Sequence, residues 1–202
     1  MAGFTANFLV YAVVAIFAEN AIFSRALGLD RALALVDDMG NMVTFGALTT
    51  ISVTITSVFT YLVSFPLQNF QNAYAWRPFI FILCMVGVYF VISVVLGRIK
   101  WAPIARRLQK IRPHLHLAMF NSAVLGALLL SSSQSYSLLQ TMGFCLGSGL
   151  GFTVATVYVA EGQRKIQNRS VPRSFKGLPV TLLYIAILSL CIYGFTGYQL
   201  SF

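Results

Sequence analysis

Polar and charged residues in this chain are gathered into a few short intervals, with long apolar stretches between them. Six such stretches stand out, approximately Thr5–Phe23, Gly40–Phe65, Pro78–Gly97, His114–Ser131, Ser135–Ala160 and Gly177–Tyr198. Crossing roughly 30 Å of hydrocarbon takes about 17 to 25 helical residues, so each stretch is long enough to span. Runs such as LCMVGVYFVISVVLG show no alternation of the kind that barrel strands require, so the spans are predicted to be helices. The pattern predicts an all-α integral membrane protein with six transmembrane helices. The intervals leave no room for a soluble domain, so residues 1–202 read as a single membrane domain. No basic segment precedes the first span and no small-residue cleavage site follows it, so that span is expected to stay in the mature protein.

Composition agrees: 58% of the 202 residues are hydrophobic and 9% charged, against about 25% charged in an average soluble domain. The net charge of +9 would suit nucleic acid, but its distribution speaks for the membrane. Arg98, Lys100, Arg106, Arg107, Lys110 and Arg112 follow the third span, and Arg164, Lys165, Arg169, Arg173 and Lys176 follow the fifth. Both loops fall on one side, and the positive-inside rule makes loops 98–113 and 161–176 cytoplasmic and both termini external. The expected location is a plasma (inner) membrane, with the lipid bilayer as partner and no nucleic acid. The first loop lies on the same side but is not basic, because Arg25 and Arg31 are set against Asp30, Asp37 and Asp38. The outward loops, FPLQNFQNAYAWR and SSSQ, carry only Arg77. Within loop 98–113, Trp101, Ile104, Leu108 and Ile111 recur at helical spacing between Pro103 and Pro113, which predicts a short interfacial helix.

Divided in the middle, the chain gives two halves of three spans, about 1–100 and 101–202. An odd number of spans per half means that structural repeats would be inverted relative to each other. The first span of each half is interrupted, by Glu19-Asn20 in one and Asn121-Ser122 in the other, and the two asparagines are 101 positions apart. Paired interruptions at corresponding places point to a midplane site, since a broken helix frees backbone groups that protein, water or ligand must satisfy. Glu19, Asn20, Asn121 and Ser122 are the candidates for such a site or ion path. Two readings of Glu19 stay open, a midplane charge or a solvated residue at the end of a complete helix. Asn121 has its own alternative, a buried helix-to-helix hydrogen bond.

In the fifth span Gly143, Gly147 and Gly151 are four apart on one face, which points to close helix packing. No strand precedes them, so a dinucleotide fingerprint is excluded. Cys84, Cys145 and Cys191 lie in three different spans with no CxxC pair and read as free thiols. His114 and His116 fall on different faces at the start of span four, as interfacial residues or, alternatively, a proton relay. No catalytic grouping, metal cluster or P-loop stands out, which argues against a stand-alone enzyme.

ENAIFSRALGL, NSAVLG, YSLLQTMGFCLGSGLGF and the tail VPRSFKGLPVTLLYIAILSLCIYGFTGYQL resemble the membrane subunits of the Rnf electron-transport complex and of the sodium-translocating NADH:quinone reductase, Nqr. Within that family the pattern is similar to the A subunit of Rnf and its counterpart, the E subunit of Nqr. The resemblance implies two inverted three-helix repeats with half-helices in spans one and four, paired with a homologous subunit of opposite orientation and with other subunits of the complex. It further implies a [2Fe-2S] cluster midway through the membrane, held by one cysteine from each broken helix of both partners, and electron transfer coupled to sodium or proton movement. Here the family's LG-x-C reads Leu27-Gly28-Leu29-Asp30 and its N-C-A reads Asn121-Ser122-Ala123, so Asp30 and Ser122 stand where the cluster cysteines are lost. No cofactor is therefore expected in this chain, since carboxylate and hydroxyl oxygens are poor donors to such a cluster. The expected function is a diverged membrane subunit of an Rnf/Nqr-type ion-translocating complex. Its alternatives are a redox-independent transporter or channel with a polar site between inverted repeats, and retained electron transfer through an unusual cluster.

Overall fold

The computed structural model describes residues 2–34, 39–67, 73–98, 114–166, 172 and 175–196. Among these residues every regular element is a helix: α1 (Ala2–Phe17), α2 (Leu29–Ala34), α3 (Met39–Leu67), α4 (Ala73–Arg98), α5 (114–119), α6 (Ser122–Ser133), α7 (Leu138–Ile166) and α8 (Leu178–Thr196). Among the described residues four segments are long and apolar enough to cross a membrane: Gly40–Pro66, Tyr74–Arg98, His114–Ser133 and Leu138–Ile166. Two shorter apolar helices, Asn7–Phe17 and Leu178–Gly194, stand beside them. The interfacial helix expected around Trp101–Ile111 falls outside the described residues, as do Asp37, Asp38, Arg169 and Arg173.

The element bounds differ from the apolar runs in two instructive places. The first run continues to Phe23, but α1 stops at Phe17 because Asn20 bonds the backbone on either side of itself. In α4 the helix begins at Ala73, ahead of Pro78. Pro78 lies inside the helix, beyond its first turn, and so removes the bond that an N–H there would donate to the Tyr74 carbonyl.

α7 is the central element, packed most extensively against α1 and α3. Apolar side chains gain little by leaving lipid for protein, so helices in a membrane associate through close packing of small residues. Both faces of α7 follow that rule. On one, a Cβ at Gly143 would lie 2.5 Å from the Phe8 carbonyl oxygen, one at Gly147 would meet the Ala12 backbone, and one at Gly151 would lie 3.0 Å from Ile16 Cα. On the other face Gly149 abuts Thr50 of α3, and Gly46 of α3 abuts Thr153 of α7. The pairing numbers rise together for α1 and α7, so these helices run parallel; they run in opposite senses for α3 and α7, which are antiparallel.

α4 contrasts with α7. Phe79, Leu83, Phe90, Val91, Val94 and Val95 are all exposed, an apolar surface suited to hydrocarbon. The buried core has two main parts. Ala15, Val53, Phe81, Val124, Leu128 and Phe144 gather toward the end where α7 begins, and Ile22, Ala32, Phe45, Ala118, Ala123 and Phe152 gather around and beyond its middle.

Candidate functional site

The first break runs from Ala18 to Gly28, and its geometry starts with Asn20, which is 2% exposed. The Asn20 Nδ2 donates to the carbonyl oxygens of Ile16 at 2.8 Å and Gly151 at 3.0 Å. Its Oδ1 accepts from the backbone N–H of Ile22 at 3.0 Å and of Phe23 at 3.3 Å. One side chain thus closes the end of α1, starts the following turn and ties both to the middle of α7. Other freed groups find partners inside the break. Glu19 N–H donates to Val14 O at 2.9 Å, Ser24 Oγ to Ala18 O at 2.7 Å, and Leu27 N–H to Ala21 O at 2.8 Å. Non-helical backbone inside a membrane protein needs this degree of satisfaction. Reversing the chain uses left-handed backbone at Ala26, φ 55°, and Gly28, φ 74°.

The second break separates α5 from α6. Asn121, also 2% exposed, is the N-cap of α6, its Oδ1 accepting from Ala123 N–H at 3.1 Å. Both asparagines therefore accept from the N–H two residues ahead, the Asx geometry that pulls a chain out of one helix and into a new turn. They differ at the other end of the amide. Nδ2 of Asn20 has two acceptors, whereas Nδ2 of Asn121 is buried with no hydrogen-bond partner among the described residues.

The two breaks meet. Gly28 N–H donates to Ser122 Oγ at 2.8 Å, across 94 positions of sequence. A Cβ at Gly28 would lie 2.6 Å from the Phe152 ring and 2.9 Å from Asn121 Oδ1, so only glycine fits there. The start of α2 and the start of α6 thereby converge beside Phe152, near the midpoint of α7. From that level α1 and α6 extend toward one end of the bundle, while α2 and α5 extend toward the other.

Of the sequence candidates, Asn121 and Ser122 are brought to this junction, and Asn20 lies beside it on Gly151. Glu19 faces outward and forms an ion pair with Arg25 at 2.8 Å, with side chains 38% and 40% exposed. Asp30 lies in the first turn of α2 with its side chain 69% exposed, and Arg31 Nε approaches it at 3.4 Å. A carboxylate in that turn is favoured by the helix dipole even without a partner. Cys84 is half-buried, Cys145 buried and Cys191 exposed, on α4, α7 and α8 respectively. His116 is exposed on α5 and His114 half-buried. Among the described residues no three His, Cys, Asp or Glu side chains gather as metal ligands would.

Gly28 enters the sequence reading only as part of the Leu27-Gly28-Leu29-Asp30 motif, although a glycine inside an apolar run is a signal for close backbone approach. The other feature without a sequence signal is at the end of the bundle where α7 begins. There Tyr136 packs edge-on to Tyr11, ring centroids 4.7 Å apart, beside a cavity of about 540 Å³ lined by Ser, Thr and Tyr hydroxyls and Arg77. Burial, then the neighbouring Tyr11 and Glu19, push the Tyr136 phenol up, so it keeps its proton at neutral pH.

Known proteins share this sequence pattern along nearly the whole chain. The sequence model of a family described as "Rnf-Nqr subunit, membrane protein" matches residues 8–199. The A subunit of the Na(+)-translocating ferredoxin:NAD(+) oxidoreductase complex of Acetobacterium woodii is 26% identical over 189 residues, covering 94% of this chain and 96% of that one. The A subunit of an ion-translocating oxidoreductase complex from Azoarcus sp. is 29% identical over 180 residues, 89% of this chain and 91% of its own. A protein of the same description from Vibrio cholerae is 28% identical over 192 residues, 95% and 97% of the two chains.

Proposed function

The chain belongs to the Rnf-Nqr family of membrane subunits, and on that premise we propose that it is a diverged member of an ion-translocating electron-transport complex, one that keeps the scaffold but supplies no cluster ligand. The observation that carries this reading is the Gly28 N–H to Ser122 Oγ bond. It brings LG-x-D and N-S-A, the two motifs in which the family pattern has cysteine, to one place at the middle of the fold. The residues there do not fit a thiolate-held [2Fe-2S] cluster. Asp30 offers an exposed carboxylate and Ser122 a hydroxyl already accepting a hydrogen bond, and oxygen donors are poorly matched to such a cluster. No electron-transfer step is assigned to this chain.

In this reading residues 1–100 and 101–202 are inverted three-helix repeats, with α1–α2 and α5–α6 as their broken first spans. The opposite course of those two pairs supports it. The chain pairs with a homologous subunit of opposite orientation in the plasma membrane, both termini outside and the basic loops cytoplasmic. Purification of the full chain with the products of its neighbouring genes is expected to give a hetero-oligomer, and recovery only as monomer or homodimer would overturn the reading. The chain purified alone under anaerobic conditions is expected to carry no iron and no visible absorbance. Stoichiometric iron would show that it supplies ligands after all.

One observation favours a second reading, a redox-independent transporter or channel with a polar midplane site of Glu19, Asn20, Asn121 and Ser122. It is the unpartnered Nδ2 of Asn121 at the junction. Solute or cation flux into proteoliposomes that is lost in Glu19→Gln would favour this reading over the first. The first is preferred because Glu19 is tied to Arg25 at the surface and Asn20 has its bonding capacity filled within the fold.

A further inference from the structure

Among the described residues Arg77 is the only charged one lining the hydroxyl-rich cavity between α3, α4, α6 and α7. Its Nε is buried without a hydrogen-bond partner among the described residues, and no described acidic side chain lines the cavity. A guanidinium whose buried Nε is unbonded and which faces no carboxylate in the cavity favours an anion there, and it disfavours cation entry at this end of the bundle. The nearby donors suit the same ligand, since hydroxyls of Ser132, Ser135 and Ser137 and the protonated Tyr136 phenol can all donate.

Two further observations identify the kind of anion. First, Arg77 also lines a second, mostly apolar concavity, of about 610 Å³, that runs along the outside of α6 past Leu130, Leu129 and Gly126 to Leu27 and to Arg25, whose charge is already paired with Glu19. The guanidinium therefore stands where a polar chamber meets an apolar groove. Second, Tyr74 and Trp76, next to it on α4, are 83% and 59% exposed, and Phe79 close by on the same helix is 56% exposed. Exposed Tyr and Trp mark the headgroup level of a bilayer. At that depth the available anion with an apolar tail is a phospholipid.

We propose that Arg77 holds the phosphate of an anionic phospholipid, with the headgroup in the serine-rich chamber and one acyl chain in the groove along α6. Its groove reaches the first break at Leu27, but the site does not depend on the reading of the electron-transport role. Arginine rather than lysine suits it, because the planar fork can bond two phosphate oxygens at once.

Native mass spectrometry of the full chain in detergent, with added dioleoyl phosphatidylglycerol, tests it. Wild type is expected to retain one lipid adduct. Arg77→Gln should lower its occupancy about tenfold or more, the loss of one charge-assisted contact. Arg77→Lys should retain part of it, and Arg98→Gln, at the far end of α4, should match wild type. Leu130→Trp, which fills the groove and leaves the guanidinium in place, should also lose the adduct and guards against misfolding of the Arg77 variants. Thermal unfolding with inorganic phosphate separates the sources. An Arg77-dependent shift with phosphate but no lipid adduct would overturn the lipid assignment in favour of free phosphate. Equal adducts in wild type and Arg77→Gln, or neither adduct nor phosphate shift in wild type, would overturn the site itself.

Discussion

At the scale of single residues, two asparagines that look equivalent in sequence have different duties. Asn20 uses both ends of its amide, and Asn121 uses one. Replacing Asn20 by Asp puts a carboxylate oxygen against the carbonyls of Ile16 and Gly151 in a buried site. A lost buried hydrogen bond costs about 1–3 kcal/mol, and more when a charge is left unpaired. Asn121→Asp keeps the cap to Ala123 and removes only an unpartnered donor, and its charge sits at the favourable end of α6. Asn20→Asp is therefore expected to lower the unfolding temperature in detergent clearly more than Asn121→Asp. Equal losses would mean that Asn121 has a partner as important as Gly151. Gly28 gives a second contrast. Gly28→Ala is expected to cost about 2–4 kcal/mol, from the left-handed backbone together with overpacking against Phe152 and Asn121. Gly87→Ala meets nothing within 4 Å and should be neutral or slightly stabilising in the same assay.

At the scale of elements, the helices are mostly legible from apolar runs and the breaks from polar residues inside them. Met39–Leu67 matches its expected run closely, and Leu138–Ile166 begins near the expected start but continues past Ala160 to Ile166. The stop of α1 is legible in the polar pair Glu19-Asn20; what is not legible is that Asn20 closes the helix partly through Gly151, a residue 131 positions away. The same limit applies to packing. The four-residue glycine spacing announces a close approach by some helix but not by which one. Gly46 and Gly149, each alone on its face, announce nothing until Thr153 and Thr50 arrive against them. The junction is half legible, since its asparagines carry the polar signal while Gly28 and Ser122 find each other only in the fold. Because α1 lies with its backbone against α7, Gly147→Val should push the two helices apart with no flexible side chain to yield. A cost of about 1–3 kcal/mol is expected for such overpacking, read as a fall in unfolding temperature, with Gly194→Val, in open space, as the control.

At the scale of the whole molecule, the helix directions sort the charges onto two ends. α1 and α7 are parallel and α3 is antiparallel to α7, by the residues that face each other across their glycines. α3 and α4 pack together and are joined by a short connection, so α4 returns toward the end where α3 begins. Arg98, Arg164 and Lys165 consequently share one end of the bundle, while Arg77 and Tyr136 lie at the other. Only one of the two possible insertions satisfies the excess of positive charge on the cytoplasmic side. The proposed insertion, with the basic end cytoplasmic, would put the cavity holding Arg77 at the outer leaflet and the open end of α2 toward the cytoplasm. Single cysteines in a background lacking Cys84, Cys145 and Cys191 decide the matter, with a membrane-impermeant maleimide applied to intact cells whose outer surface is accessible. Ser135→Cys, in the exposed turn between α6 and α7, is expected to be labelled without permeabilisation, and Arg164→Cys, exposed near the end of α7, only after it. The reverse pattern would invert the orientation and place the basic loops outside. Labelling of both in intact cells would instead count against α7 as a membrane-crossing helix.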